Sequence, residues 1–189
     1  MSDETIDALL SDADERMLKS VENSREKLAT VRTGRASPAL LDRVSVDYYG
    51  TATPIKQMAN IAAAEARLLT ISPYDKTALP AIEKAIQESD LGLTPNNDGN
   101  VVRIQIPELT EERRNEMVKQ VRHLAEEGRI AIRNVRREAM HDMKELRTAG
   151  DVGEDDEKRG EADLQKLTDK HVGEIDTLLG NKESDLLEV

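Results

Sequence analysis

The stretch VRTGRASPAL, residues 31–40, interrupts a helical pattern that extends from the start of the chain. Before this stretch, apolar residues recur at steps of three and four with charged residues between them, and Ser24 leaves a gap. This spacing predicts one long amphipathic helix over residues 2–32. Gly34 and Pro38 stop the pattern, because glycine tolerates non-helical dihedrals and proline cannot continue a helix.

Two more long helices are predicted in the second half of the chain. Helical apolar spacing resumes after Pro107 and covers residues 111–147, and the same rhythm returns over residues 156–187. The glycine- and aspartate-rich segment TAGDVGEDD, residues 148–156, reads as the loop between them. Three helices of similar length, each with one apolar stripe, bury those stripes most simply as an antiparallel bundle.

The segment between the first two helices changes to the two-residue period of β-strands. Apolar and polar residues alternate over residues 44–49 and 101–106, and RLLTIS, residues 67–72, reads as a further strand. Residues 79–86 carry the apolar spacing of one short helix. The segment is therefore predicted to fold as a small β/α/β domain.

Together these patterns predict an α+β fold with two domains. A long antiparallel three-helix bundle takes residues 1–32 and 108–189, and the β/α/β domain, residues 33–107, is inserted between its first and second helices. In such a bundle both linkers leave from the same pole, which predicts a two-stranded hinge. The hinge residues are Thr33, Gly34, Arg35, Ala36, Ser37, Pro38 and Pro107. The simpler alternative is that Gly34 only terminates the first helix.

Composition excludes several classes of protein. The chain has no cysteine, so it has no disulfide bond, thiolate metal site or cysteine nucleophile. Its three histidines are far apart, and it lacks a glycine-rich phosphate loop and a serine-nucleophile motif. We expect no catalytic residues, no metal and no cofactor. The sequence has no secretory signal pattern and no long apolar run, so we expect a cytoplasmic protein that does not bind membranes.

The net charge is −11, yet the basic residues of the second long helix are unevenly distributed. At about 100° per residue, a set of basic side chains falls within roughly 60° of Arg122 on either side. The set is Lys119, Arg122, Arg129, Arg133, Arg136, Arg137, Lys144 and Arg147. Guanidinium groups form forked hydrogen bonds with phosphate oxygens, so this ridge predicts binding to nucleic acid.

The candidate RNA-binding residues are Arg122, Arg129, Arg133, Arg136 and Arg137. Two alternatives remain open at this point. The ridge can be a solvated helix face whose charges pair with acids of a neighbouring helix, which is the commoner outcome for runs of charge. The chain can also be an acidic helical chaperone or adaptor that binds protein partners.

Five segments of the chain are long and distinctive. They are VRTGRASPALLDRVSVDYYG, AIEKAIQESDLGLTPN, IQIPELTEERR, RIAIRNVRREAM and DLQKLTDKHVGEID. In the same order, and over essentially the whole chain, they closely resemble the bacterial ribosome recycling factor family. The resemblance implies a three-helix bundle and a smaller β/α/β domain, joined by a two-stranded hinge.

The resemblance also implies a function on the ribosome after termination. The bundle would bind large-subunit rRNA, the inserted domain would meet the small-subunit side, and elongation factor G with GTP would drive separation of the subunits. The segment RNVRR would place Arg133, Arg136 and Arg137 at the rRNA contact, and TGRASP, residues 33–38, matches the hinge. We expect a monomer.

Overall fold

The computed structural model describes residues 2–187, with side chains from Glu4 onward. The chain divides into two compact units. One contains the residues up to Arg32 together with Glu112–Leu187, and the other is Thr33–Glu111. Each unit has its own apolar core. The predicted fold class, a long helical bundle with a small sheet domain, is confirmed.

Long helices lie at the two ends of the chain, and short strands occupy its middle. The helices are α1 Ser2–Ala29, α2 Ile55–Met58, α3 Leu79–Gln87, α4 Glu111–Ala149 and α5 Glu154–Leu187. The strands are β1 Ser45–Tyr48, β2 Thr51–Pro54, β3 Ala59–Glu65, β4 Leu68–Pro73, β5 Pro95–Asn97 and β6 Val102–Gln105. Two short 3-10 helices are Pro38–Leu41 and Lys76–Ala78.

The bundle unit consists of α1, α4 and α5. Lys27 of α1 pairs with Glu127 of α4 at 3.1 Å, and Arg16 of α1 pairs with Glu138, so α4 runs antiparallel to α1. The apolar stripes predicted from the spacing face one another. The buried core residues are Ile6, Ala13, Met17, Val21, Ala125, Ile132, Val135, Ala139, Met143, Val152, Leu164 and Ile175. Burial of this core fixes the face that each helix turns to solvent.

Ser24, the gap in the first apolar stripe, lies at a close contact of α1, α4 and α5. It is buried, and its Oγ donates a hydrogen bond to the Ser20 carbonyl oxygen at 2.9 Å. A Cβ added to Gly128 of α4 would lie 2.2 Å from this Oγ and 2.7 Å from Cδ1 of Ile175 in α5. Only glycine fits this position without displacing its neighbours.

The helix boundaries follow local chemistry. α1 ends at Ala29, earlier than predicted, because the amides of Thr30 and Val31 bond to carbonyls three residues back instead of four. α4 ends before Gly150, whose φ of 86° is left-handed. Such a glycine is a common helix C-terminus, because it has no side chain to clash there. Four acidic residues open α5 and complement the positive end of its dipole.

The inserted unit contains a four-stranded antiparallel sheet in the order β3-β4-β6-β5 and a two-stranded hairpin, β1-β2. The helix predicted at residues 79–86 corresponds to α3, which packs against β1 and β5. The sequence pattern missed β3. Its residues ANIAAAE are mostly exposed at the sheet edge, so they do not alternate between apolar and polar.

Candidate nucleic-acid interface

The predicted RNA-binding arginines all lie on α4, at positions that flank its buried stripe or face solvent. Val121, Ala125, Ile132, Val135 and Ala139 of the same helix are buried, which sets the rotation of α4. Arginines on the opposite and flanking positions are therefore directed outward. We call the set Arg122, Arg129, Arg133, Arg136 and Arg137 the arginine face. Its members differ in the groups that hold their guanidiniums.

Arg122 and Arg129 are bound to carboxylates of the adjoining helix α5. The Nε of Arg122 donates to Glu183. Arg129 donates from Nε and Nη2 to Oδ1 of Asp176 at 2.9 and 2.6 Å, and its side chain is only 19% exposed. At this end of the arginine face, the charges pair with acids of a neighbouring helix, as the first alternative interpretation of the basic ridge expects.

The charge of Arg133 is only partly compensated by a carboxylate. Its Nη1 donates to Oε1 of Glu126 at 3.1 Å, and Arg129 donates to the other oxygen of the same carboxylate at 3.0 Å. These hydrogen bonds, first from Arg129 and then from Arg133, lower the pKa of Glu126 below its usual range. Glu126 thus stays ionised and compensates part of the charge of Arg133, whose side chain remains 48% exposed.

Arg136 and Arg137 are held by neutral amides. Nη1 of Arg136 donates to Oε1 of Gln165 in α5 at 2.8 Å, and Arg137 donates to Oδ1 of Asn134 one turn earlier. Nε of Arg136 is buried without a hydrogen-bond partner among the described residues. An amide oxygen orients a guanidinium without cancelling its charge. Among the side chains of residues 4–187, no carboxylate lies in salt-bridge range of either arginine.

Two exposed apolar side chains accompany the outer arginines, and the sequence interpretation did not single them out. Ile130 and Met140 are 47% and 37% exposed. At about 100° per residue they fall on the same side of α4 as Arg133 and Arg137. The helical spacing alone could have identified them, since both side chains lie outside the apolar arc of α4 that forms the core. This side of α4 can therefore contact both the phosphates and the less polar sugar or base surfaces of RNA.

The histidines do not form a metal site. His141 lies 3.3 Å from Glu145, and His123 lies 3.3 Å from Glu127, as exposed pairs one helical turn apart. His171 follows the apolar spacing of α5 and is buried, with Nε2 2.6 Å from Oδ1 of Asp14, a partner that the sequence did not identify. The described part of the chain contains no group of three or more potential ligands placed to hold a metal.

The predicted hinge residues occupy ordered positions in the inserted unit. Gly34 has a left-handed φ of 74°, and a Cβ there would lie 3.1 Å from Cγ of Leu109. The amide of Ala36 donates to the carbonyl of Ala66 at 2.7 Å. Ser37 caps the 3-10 helix that Pro38 begins, with the Ala39 amide 3.3 Å from its Oγ. These residues belong to the folded unit.

The second linker is attached to the same β-turn as the first. The amide of Ile106 donates to the carbonyl of Arg67 at 2.8 Å, and the Arg67 guanidinium lies 2.8 Å from a carboxylate oxygen of Glu108. Ala66 and Arg67 form the turn between β3 and β4. Both linkers are thus hydrogen bonded to adjacent residues of one turn. Pro107, exposed between Ile106 and Glu108, has no amide hydrogen to donate.

None of the described helices is long and apolar enough to cross a membrane.

Comparisons with known proteins point to one family. The family model described as ribosome recycling factor matches residues 24–187. The ribosome-recycling factor of Rubrobacter xylanophilus is 58% identical over 180 residues, which cover 95% of this chain and 97% of the relative. The comparisons give no support to the alternative of an acidic chaperone or adaptor.

Two solved structures resemble the chain over nearly its whole length. The solution structure of a ribosome recycling factor has a TM-score of 0.77 at 43% identity and covers 97% of this chain and 98% of its own. The T. thermophilus ribosome recycling factor, described with E. coli elongation factor G bound to the E. coli post-termination complex, has a TM-score of 0.68 at 47% identity. That match covers 96% of this chain and 98% of the other.

Proposed function

Because this chain belongs to the ribosome recycling factor family, we propose that it binds the post-termination ribosome and, with elongation factor G and GTP, promotes separation of the ribosomal subunits. A relative of the same family is described on the post-termination complex with elongation factor G. Ribosome binding uses the bundle, and the contact is large-subunit rRNA. The site of action is the cytoplasm.

The observation that carries the RNA contact is the uncompensated charge of Arg136 and Arg137. Their amide partners, Gln165 and Asn134, orient the guanidiniums without neutralising them. Gln165 is itself oriented, because its Nε2 donates to Asp169 at 2.8 Å. Preoriented donors lose less conformational entropy when they bind a phosphate. We assign the main phosphate contacts to this end of the arginine face and a weaker one to Arg133.

The remaining net negative charge of the protein supports selectivity. Acidic surfaces elsewhere repel the rRNA backbone, so a chain with a charge of −11 binds RNA only where its cations are aligned and exposed. Arg122 and Arg129, which pair with Glu183 and Asp176, then fix α4 against α5 more than they bind RNA. The arginine face thereby combines a structural end with a binding end.

The inserted domain acts as the moving part. The hydrogen bonds of Ala36 and Ile106 to Ala66 and Arg67 fasten both linkers to its β-turn. Bending is then limited to the residues between these fastened amides and the bundle helices, including Gly34. Elongation factor G supplies the force through GTP, and the chain itself hydrolyses nothing. The inserted domain carries the contacts to elongation factor G and to the small-subunit side.

Light scattering of post-termination ribosomes tests the function. Adding the protein with elongation factor G and GTP should lower the scattering as the ribosomes separate into subunits, and omission of any component should abolish the change. Pelleting with isolated large subunits tests the RNA contact. Arg136→Ala and Arg133→Ala should bind more weakly while their helix content by circular dichroism stays unchanged. Wild-type affinity in both variants would remove the arginine face from the proposal.

A further inference from the structure

All of the aromatic residues of this chain lie close together in the inserted unit. The sequence contains three tyrosines and no phenylalanine or tryptophan. Tyr48 and Tyr74 line the same cavity of about 230 Å³, and the ring of Tyr49 contacts that of Tyr48 edge to face, with centroids 4.6 Å apart. Tyr48 packs half-buried against the core of this unit, whereas Tyr49 and Tyr74 are exposed. Packing against the core therefore accounts for Tyr48, but it does not account for the two exposed rings.

Tyr49 has an unfavourable backbone conformation, and its large side chain is exposed to solvent. It precedes Gly50 in the turn between β1 and β2, with a left-handed φ of 51°. Glycine, asparagine and aspartate adopt this conformation readily, whereas a bulky residue is uncommon there. Its side chain is nevertheless 84% exposed, so burial does not offset the strain. A strained and exposed aromatic residue is typical of a binding surface.

Tyr74 is a second exposed tyrosine, and it also lines the cavity. Its side chain is 73% exposed, and its backbone is fixed by a hydrogen bond from its amide to the Met58 carbonyl at 3.0 Å. Met58 also lines the cavity, together with Thr53, Gln57 and Ala78. The cavity is smaller than the roughly 300–1,000 Å³ of most small-molecule pockets. Its size suits a single side chain of a partner.

A carboxylate completes the cavity. Asp75 accepts a hydrogen bond from the Tyr48 hydroxyl at 2.8 Å, and its other oxygen accepts from the amide and hydroxyl of Thr77 at 2.9 and 2.7 Å. The hydrogen bonds from Thr77, and then that from Tyr48, lower the pKa of Asp75. Asp75 therefore remains ionised at neutral pH and supplies a full negative charge.

The two lysines that adjoin cavity residues in the sequence are paired with other groups. Lys76 donates to Asn100 at 2.9 Å, and Lys56, which precedes Gln57, pairs with Asp42. Within residues 2–187, no lysine or arginine forms an ion pair with Asp75. Among the described residues, those that line the cavity include the carboxylate of Asp75 and no lysine or arginine.

We propose that the cavity lined by Tyr48, Tyr74 and Asp75, with Tyr49 packed against Tyr48, receives an arginine or lysine side chain from a protein partner. Tyrosine faces attract cations within about 6 Å, and the carboxylate adds a salt bridge. RNA bases also stack on tyrosine, but the phosphates attached to them would be repelled by Asp75. The surface is complementary to a basic protein segment.

The role of this contact in ribosome recycling rests on the proposed function, but its chemistry does not. The test therefore uses the full-length protein with a small probe and no ribosome. N-acetyl-arginine amide is titrated into the protein while backbone amide shifts are followed by NMR. N-acetyl-citrulline amide has the same shape without the charge, and is the matched control. A uridine oligonucleotide is titrated separately.

The arginine probe should shift the amides around the cavity, and the citrulline probe should not. Tyr74→Ser should weaken probe binding by about two- to fivefold, the size of an exposed cation–π contact, whereas Tyr74→Phe should retain it. Asp75→Asn should weaken it further. Tyr74 is exposed, so the Tyr74→Ser result does not depend on a change in folding.

Three results would overturn the proposal. They are equal shifts with citrulline, no shifts at the cavity with the arginine probe, and oligonucleotide shifts at these residues that Tyr74→Ser abolishes. Failure here would leave the light-scattering result unaffected. Loss of subunit separation with intact probe binding would instead contradict the proposed function.

Discussion

The two ends of the arginine face share residue type, helix and side, yet they differ in chemistry. Arg122 and Arg129 are paired with carboxylates of α5, whereas Arg136 and Arg137 are held by amides. The difference comes mainly from the partner helix. On α5, the residues that hold members of the arginine face are Gln165, Asp176 and Glu183.

This difference shows that the number of aligned arginines overstates the charge available for binding. An exposed salt bridge contributes little to stability, but it does remove a cation from the set that can meet a phosphate. An amide partner leaves that cation available. The following predictions test whether the structural end and the binding end can be separated by experiment.

The largest effect is expected at Gly128, whose contact with α1 and α5 holds both ends of the arginine face in place. Gly128→Leu should destabilise the protein by about 3 kcal/mol or more, because the added side chain must displace Ser24 and Ile175. Urea denaturation monitored by circular dichroism measures the change. Gly173→Leu is the control, since a Cβ at Gly173 has no neighbour within 4 Å. Equal loss in both variants would show that close packing at Gly128 is not the cause.

A smaller effect is expected when single arginines are neutralised at the two ends. Arg137→Gln should weaken binding to large subunits about tenfold, because a charge-assisted hydrogen bond to phosphate is lost. The slope of log affinity against log salt should fall by about 0.7–0.9, the value for one phosphate contact. Arg122→Gln should change both quantities much less. The same loss of slope in the two variants would contradict the division of the arginine face.

For the free energy of unfolding, the larger effect is expected at the carboxylate-paired end of the arginine face and the smaller effect at the amide-held end. Arg129→Ala removes hydrogen bonds to Asp176 and Glu126 from a side chain that is only 19% exposed, so it should cost about 1 kcal/mol. Arg137→Ala should stay within about 0.5 kcal/mol of the wild type, as for an ordinary surface position. Thermal unfolding of the two variants gives the comparison. A destabilised Arg137→Ala would assign a structural role to that end as well.

The smallest effect is a gain of binding. Glu183→Gln releases the Arg122 guanidinium from its carboxylate, so Arg122 becomes available to a phosphate. Affinity for large subunits should rise about twofold at low salt, and the gain should disappear as salt is added. Glu174→Gln removes a charge from the same helix at a residue that faces His171 instead, and serves as the control. A similar gain in the control would indicate a general charge effect.

Much of the fold could be predicted from the sequence because helix and strand periods are local properties. The stripes of α1, α4 and α5 and the alternation in β1, β4 and β6 gave the correct element types. β3 was missed because its exposed alanine-rich residues have no period to detect. The gap at Ser24 was visible, but its cause was not, because Gly128 lies more than a hundred residues away in the sequence.

The candidate site divides in the same way. Helical spacing aligned the arginines, but their partners Gln165, Asp176 and Glu183 belong to another helix, and their distances depend on how α5 packs. The cavity between Tyr48 and Tyr74 could not be predicted either. The cavity forms where the end of β1 packs near the residues that follow β4. No local sequence pattern predicts that these two segments are in contact.

The sequence alone determined the three long helices, the strands β1, β4 and β6, and the positions of the arginines around α4. These follow from the period of the chain and the chemistry of each residue, and neither requires a distant partner. Only the tertiary structure decided which guanidiniums keep their charge and which tyrosines surround Asp75. Hydrogen bonds and ion pairs act over a few ångströms, so their outcome is fixed by packing between segments that are remote in the chain.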